Sequence, residues 1–127
     1  MQQEYSVSEP GPGPFLFVGT YLPMQRWRDL PAFFRLVGRV HDQMKANPGV
    51  MRVGINSRFL TKEFWTCSVW RVGSEQAIQD FVQSGAHAEA LKKSAQWSRG
   101  KTAFARWTSP SPAMDFEELL RRLPPRG

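Results

Sequence analysis

The chain has 127 residues, enough for one domain with a core of its own, and its single cysteine, Cys67, excludes a disulfide framework or a thiolate metal cluster. Its net charge of +6 comes from scattered pairs such as Arg26/Arg28, Lys92/Lys93 and Arg121/Arg122. With no dense basic run and no zinc-finger or RRM pattern, that charge reads as a solvated surface and no nucleic-acid partner is expected. No apolar run is long enough for a membrane span, and MQQEYSVSEPGPGP lacks the features of a signal peptide, so the expected setting is cytoplasmic with no membrane partner.

Residues 1–13, rich in Gly, Pro and Ser, read as a flexible arm before a domain at 14–110, with a helix and tail at 111–127. FLFVGTYL, from Phe15 to Leu22, is a strand with Leu16, Val18 and Thr20 on one side and Phe15, Phe17, Gly19 and Tyr21 on the other. Asp29 can cap a helix whose first turn holds Pro31. Its buried stripe is Phe33, Leu36, Val37, Val40 and Met44, and His41 falls on the polar side. NPG ends that helix near Asn47.

A strand follows from Val50 to Phe59, then a turn at Thr61-Lys62-Glu63 and the strand FWTCSVW. Ser74 suits a helix N-cap, with Ala77, Ile78, Phe81 and Val82 as the apolar face. Ser84-Gly85 interrupts the helix, and Ser84 can cap a second segment from Ala86 towards Gln96. A strand from Thr102 to Trp107 precedes a helix with Phe116, Leu119, Leu120 and Leu123 at helical spacing.

The order β-α-β-β-α-β plus a terminal helix predicts an α+β, ferredoxin-like split β-α-β fold with a four-stranded antiparallel sheet. Helices should cover the face carrying Leu16, Val18, Met51, Val53, Ile55, Trp65, Cys67 and Val69. The other face should show Phe15, Phe17, Tyr21, Phe64, Trp70 and Phe104, mixed with Arg52, Asn56, Thr66, Ser68 and Arg106. Exposed rings in that number form an apolar patch that soluble monomers rarely leave open. The economical cover is a second copy, a homodimer in which two sheets pack face to face.

The succession of a TYLP strand end, an NPGV turn, FWTCSVW, AIQDFVQSGAH and a closing FARW strand, spanning roughly Phe15 to Trp107, resembles the antibiotic-biosynthesis-monooxygenase-like proteins of the dimeric α+β barrel superfamily. The resemblance implies a homodimer and a cofactor-independent monooxygenase, or a related small-molecule enzyme, acting on a flat aromatic or polyketide-like substrate. The alternative is a non-catalytic dimeric small-molecule-binding or accessory protein. The haem-degrading branch is similar through SVW and the next helix. Phe81, however, stands where its motif has tryptophan, Leu91 where it has the iron-binding histidine, and FVGTYL lacks its asparagine. No cofactor and no metal site are therefore expected.

His87 is the candidate catalytic residue, because a neutral imidazole can take a proton from a phenol or enol and leave an electron-rich anion able to react with oxygen. The competing reading has it packing or capping its helix. Arg52, Asn56, Ser68 and Arg106 would supply hydrogen bonds or charge to that anion, and Trp70, Phe17, Tyr21 and Phe104 the apolar wall. Trp65 and Trp70 point to opposite faces of one strand, and Trp65 is expected in the core. Cys67, among β-forming neighbours, reads as a small hydrophobe.

Overall fold

The computed structural model describes residues 2–7, 11, 13–47, 49–100 and 102–123, apart from the Tyr5 side chain. The tail at 124–127, parts of the expected arm (1, 8–10 and 12), Pro48 of the NPG turn and residue 101 lie outside the described residues. The strands are β1 (Gln2–Ser6), β2 (Phe15–Pro23), β3 (Val50–Arg58), β4 (Glu63–Arg71) and β5 (Ala103–Ser109). The helices are α1 (Leu30–Lys45), α2 (Glu75–Val82), α3 (Gly85–Trp97) and α4 (Phe116–Arg122), with a 3-10 turn at Trp27–Asp29 leading into α1. The sheet runs β1-β3-β4-β2-β5, antiparallel at every pairing. Without β1, the remaining β3-β4-β2-β5 has the ferredoxin-like order expected from the sequence.

The sheet has five strands where four were expected. Gln2–Ser6, assigned to the flexible arm, pairs with β3 from Gln2 opposite Asn56 to Ser6 opposite Arg52. QQEYS has no alternation of apolar residues. It joins through backbone hydrogen bonds and the Glu4–Arg52 ion pair at 2.8 Å, so hydrophobic patterning could not reveal it.

Helix boundaries follow the expected stripes, although three of the expected caps are not made. Asp29, Ser74 and Ser84 accept no side-chain capping bond. The Ser84 hydroxyl instead donates to the Asp80 carbonyl at 2.6 Å, closing the end of α2. The cap that forms is Asp115, whose Oδ1 accepts from the amides of Glu117 (3.0 Å) and Glu118 (3.3 Å) and starts α4. Gly85 breaks α2 from α3 at φ +57, a backbone angle that glycine adopts freely.

Face assignment is the main correction. Leu16, Val18, Val53 and Ile55 lie under the helices as expected, but β4 and β5 are inverted relative to β2. Register pairs Leu16 with Trp70, Val18 with Ser68 and Arg106, and Thr20 with Thr66 and Phe104. Phe64, Thr66, Ser68, Trp70, Phe104 and Arg106 are therefore on the α1–α3 side. Trp65, Cys67 and Val69 join Phe15, Phe17 and Tyr21 on the other. A bulge between Val50 and Arg52 turns Met51 to that second face as well. β4 is buried on both sides, and the set with the more polar Thr66 and Ser68 is the one under the helices, so side-chain polarity pointed the wrong way and only register could assign the faces.

That second face is not left for another copy of the chain. α4 lies on it, with Phe116, Leu119 and Leu123 buried against Phe17, Tyr21, Trp65 and Trp107. The approach is close: a Cβ on Gly19 would stand 2.1 Å from Leu119 Cδ1, and one on Gly54 would stand 2.3 Å from Met114 Sδ. On the opposite face, Leu16, Val50, Val53 and Trp70 pack against Met44, Ile78 and Phe81 of the helices. Trp65 and Trp70, 2% and 1% exposed, thus anchor two separate cores on the two sides of one strand.

Candidate functional site

Between the sheet and the helices lies a cavity of about 100 Å³. Its sheet side is Thr20 and Leu22 of β2, Thr66 of β4 and Phe104 of β5. The two threonine hydroxyls bond to each other across the β2–β4 pair. α1 contributes Leu36, Val37, Val40, His41 and Met44, and α3 contributes His87, Ala90, Leu91, Ser94 and Trp97. The 3-and-4 spacing of both sets puts each on one helix face. Phe104 and Leu91 line the cavity yet are 56% and 41% exposed, which places them at its mouth.

His87 is held from three directions. Its backbone N–H donates to Gln43 Oε1 at 3.0 Å, its ring lies 4.7 Å from that of Phe81, and its Nδ1 is 3.3 Å from the Val82 carbonyl. A carbonyl oxygen only accepts, so Nδ1 carries the proton of the neutral ring and Nε2 is the basic atom. Gln43 also donates to the Phe81 and Ser84 carbonyls at 3.1 and 3.0 Å, tying α1 to the break between α2 and α3. Burial pushes the pKa of His87 below its ordinary value, while the Val82 hydrogen bond opposes the shift.

His41, expected on the polar side of α1, lines the same cavity. It stands four residues after Val37 and three before Met44, so it continues the apolar stripe. Arg39 and Asp42 beside it obscured that position in the sequence. Burial, then Lys45, lowers its pKa, and Asp42 acts the other way. Both imidazoles are consequently neutral bases at pH 7, and among the described residues no other titratable side chain lines the cavity.

Of the nine site residues named from sequence, the cavity brings together His87 and Phe104. Trp70 is packed beneath Phe81 and donates from Nε1 to Ser68 Oγ at 2.7 Å, and both are buried. Phe17 stacks on Trp107 at 5.3 Å on the α4 side, where the Tyr21 hydroxyl also donates to Glu63 at 2.6 Å. Arg52 pairs with Glu4 at the sheet edge, and Asn56 lies opposite Gln2. Arg106 is exposed on β5. Burial, with Glu4 adding to it, pushes the Cys67 thiol up to about 12, so it is an inert core group. Among the described residues no group of His, Cys, Asp and Glu could hold a metal ion, and no helix is long and apolar enough to cross a membrane.

At the level of sequence, no protein-family model and no curated protein matches the chain. Solved structures do match in fold. One is a proposed antibiotic biosynthesis monooxygenase from Nitrosomonas europaea, at TM-score 0.65 and 16% identity over 79% of this chain and 94% of that one. A second is a ferredoxin-fold protein related to antibiotic biosynthesis monooxygenases from Listeria monocytogenes, at 0.64 and 20% over 86% and 62%. A third is a cofactor-independent oxygenase from Streptomyces nogalater, at 0.56 and 13% over 77% and 94%. The chain thus has the ferredoxin-like fold found in antibiotic-biosynthesis-monooxygenase-like proteins, extended by β1 at one sheet edge and by α4 across the outer sheet face.

Proposed function

We propose that the cavity binds a small flat aromatic molecule and that the chain is a cofactor-independent monooxygenase, with His87 as the base. The observation that carries this reading is the orientation of His87: its Nδ1 is engaged by Val82 in an apolar cavity, so Nε2 is the atom able to take a proton. Removing a proton from a phenol or enol makes an anion that can reduce dioxygen. One oxygen atom then replaces the two hydrogens of a substrate CH₂ as a carbonyl, and the other leaves as water. Phe104 would form part of the apolar wall. The similarity in fold to a cofactor-independent oxygenase supports the reading at the level of architecture.

A specific observation favours a second reading, a non-catalytic small-molecule-binding or accessory protein. Arg52, Asn56 and Arg106, expected to stabilise the anion, do not line the cavity. A homodimer belongs to either reading only if it leaves α4 in place or displaces it, because α4 already covers the face a second copy was expected to cover.

The test is oxygen uptake by metal-free protein with any aromatic ligand found to bind. His87→Ala should keep the fold and lower turnover about 10²-fold or more. Binding without oxygen consumption by the unmodified chain would leave the non-catalytic reading in its place.

A further inference from the structure

We propose that the cavity selects an uncharged, single-ring ligand carrying one hydroxyl, and rejects both anionic and fused-ring molecules. This inference rests on the reading of the cavity as the ligand site and narrows the class of molecule that reading allows.

Size comes first. A dry apolar cavity of about 150 Å³ accommodates one benzene ring. The space here is about 100 Å³, so a single ring fills it and uses the opening beside Phe104 and Leu91 for the remainder. A fused bicycle adds roughly half as much volume again, and the interior has nowhere to put it. Phe33, Leu36 and Met44 line the cavity and are themselves buried, so they cannot swing into solvent to make room.

Charge is the second selector. Among the described residues the lining holds no Arg, Lys, Asp or Glu, and its two histidines are neutral bases at pH 7. A carboxylate would lose its water and meet no cation in exchange. A neutral hydroxyl, by contrast, can donate to His87 Nε2 while its ring lies among Leu36, Val40 and Leu91. The Thr20–Thr66 pair satisfies itself on the sheet side and so tolerates an apolar ring above it.

The experiment titrates the full chain at pH 7.5 with 4-methylphenol, 4-methylbenzoate and 1-naphthol, read by amide chemical shifts, alongside Phe104→Ala. The expected order puts 4-methylphenol first, with shifts on α1 and α3. The benzoate should bind about 100-fold more weakly or worse. 1-Naphthol should gain about tenfold when Phe104→Ala opens the mouth, a surface change that leaves the fold intact. If naphthol or benzoate binds the unmodified cavity as tightly as 4-methylphenol, the selectivity is wrong and the cavity reading stands. If no probe shifts α1 or α3 residues, both are overturned.

Discussion

Gly19 sits in the middle of β2 under Leu119, and substituting it measures whether α4 covers the sheet. An alanine Cβ would meet Leu119 Cδ1 at 2.1 Å, with Cδ2 and Cγ at 3.2 Å, so turning the leucine about its Cβ–Cγ bond alone, which leaves Cγ in place, does not clear all three. Leu119 has no exposed surface, which leaves it little room to retreat. Overpacking of this kind costs about 1–3 kcal/mol. Leu119→Ala alone removes a fully buried side chain and should cost about 2–5 kcal/mol. With Leu119 truncated, Gly19→Ala has space. It should then be neutral or stabilising by about 0.4–1 kcal/mol, through the entropy it removes from the unfolded chain. The two substitutions should therefore couple by about 1–4 kcal/mol in a double-mutant cycle. Urea unfolding followed by tryptophan fluorescence reads all four variants, and light scattering on Leu119→Ala reports any self-association through the loosened face. Equal destabilisation by Gly19→Ala in both backgrounds would mean that Leu119 does not lie on Gly19, and the placement of α4 would fall with it.

The buried histidines predict an acid-sensitive fold. Their folded-state pKa values lie below the ordinary 6.5, so the unfolded chain takes up protons that the folded chain resists. Their contribution is fully present above pH 6.5 and is lost as pH falls towards the folded values. The slope is at most about 1.4 kcal/mol per pH unit for each ring, less because solvent still reaches both. Urea midpoints between pH 5 and 8 for the unmodified chain and for the His41→Gln/His87→Gln double variant check this, and an unchanged slope in the variant would refute it. Haem should produce no stoichiometric complex with a defined Soret shift, because the cavity of about 100 Å³ is far smaller than a porphyrin and Leu91 occupies the expected ligand position. A tight complex lost on His87→Ala would contradict that.

The order of elements was legible because each depends on local periodicity. α1 and α4 carry helical stripes, Ser84-Gly85 marks the break between α2 and α3, and NPG and TKE mark turns. What failed depends on information outside the element. β1 is polar along its length and is a strand only because the β3 edge offers it backbone partners. The face of β4 is set by its register with β2, and in a strand buried on both sides the contrast of Thr66 and Ser68 with Trp65, Cys67 and Val69 does not mark which face meets solvent. His41 was misplaced for a related reason: its charged neighbours dominate the local pattern, while its spacing from Val37 and Met44 decides where it points.

The cavity lies on the helix side of the sheet, away from the α4 side that carries Arg52 and Asn56, and this sets the chemistry that the proposed reading allows. With the faces assigned from sequence, Arg52, Asn56 and Arg106 would have faced a substrate anion. Among the described residues that line the cavity, such an anion's only positive partner would be the imidazolium created by proton transfer to His87. Transfer from a phenol with a pKa near 10 to a base near 6.5 is uphill by about 5 kcal/mol in water, and more when burial weakens the base. Two opposite charges about 4 Å apart at an effective dielectric of 20 return about 4 kcal/mol. The sum lies close enough to zero that the acidity of the substrate decides the outcome. An ordinary phenol stays protonated and is simply bound, whereas an enol or an acidified phenol, two or three pKa units lower, gives up its proton to His87. On the proposed reading, the same cavity would hold one class of ring as a ligand and make another reactive towards oxygen, divided by the ligand's own pKa.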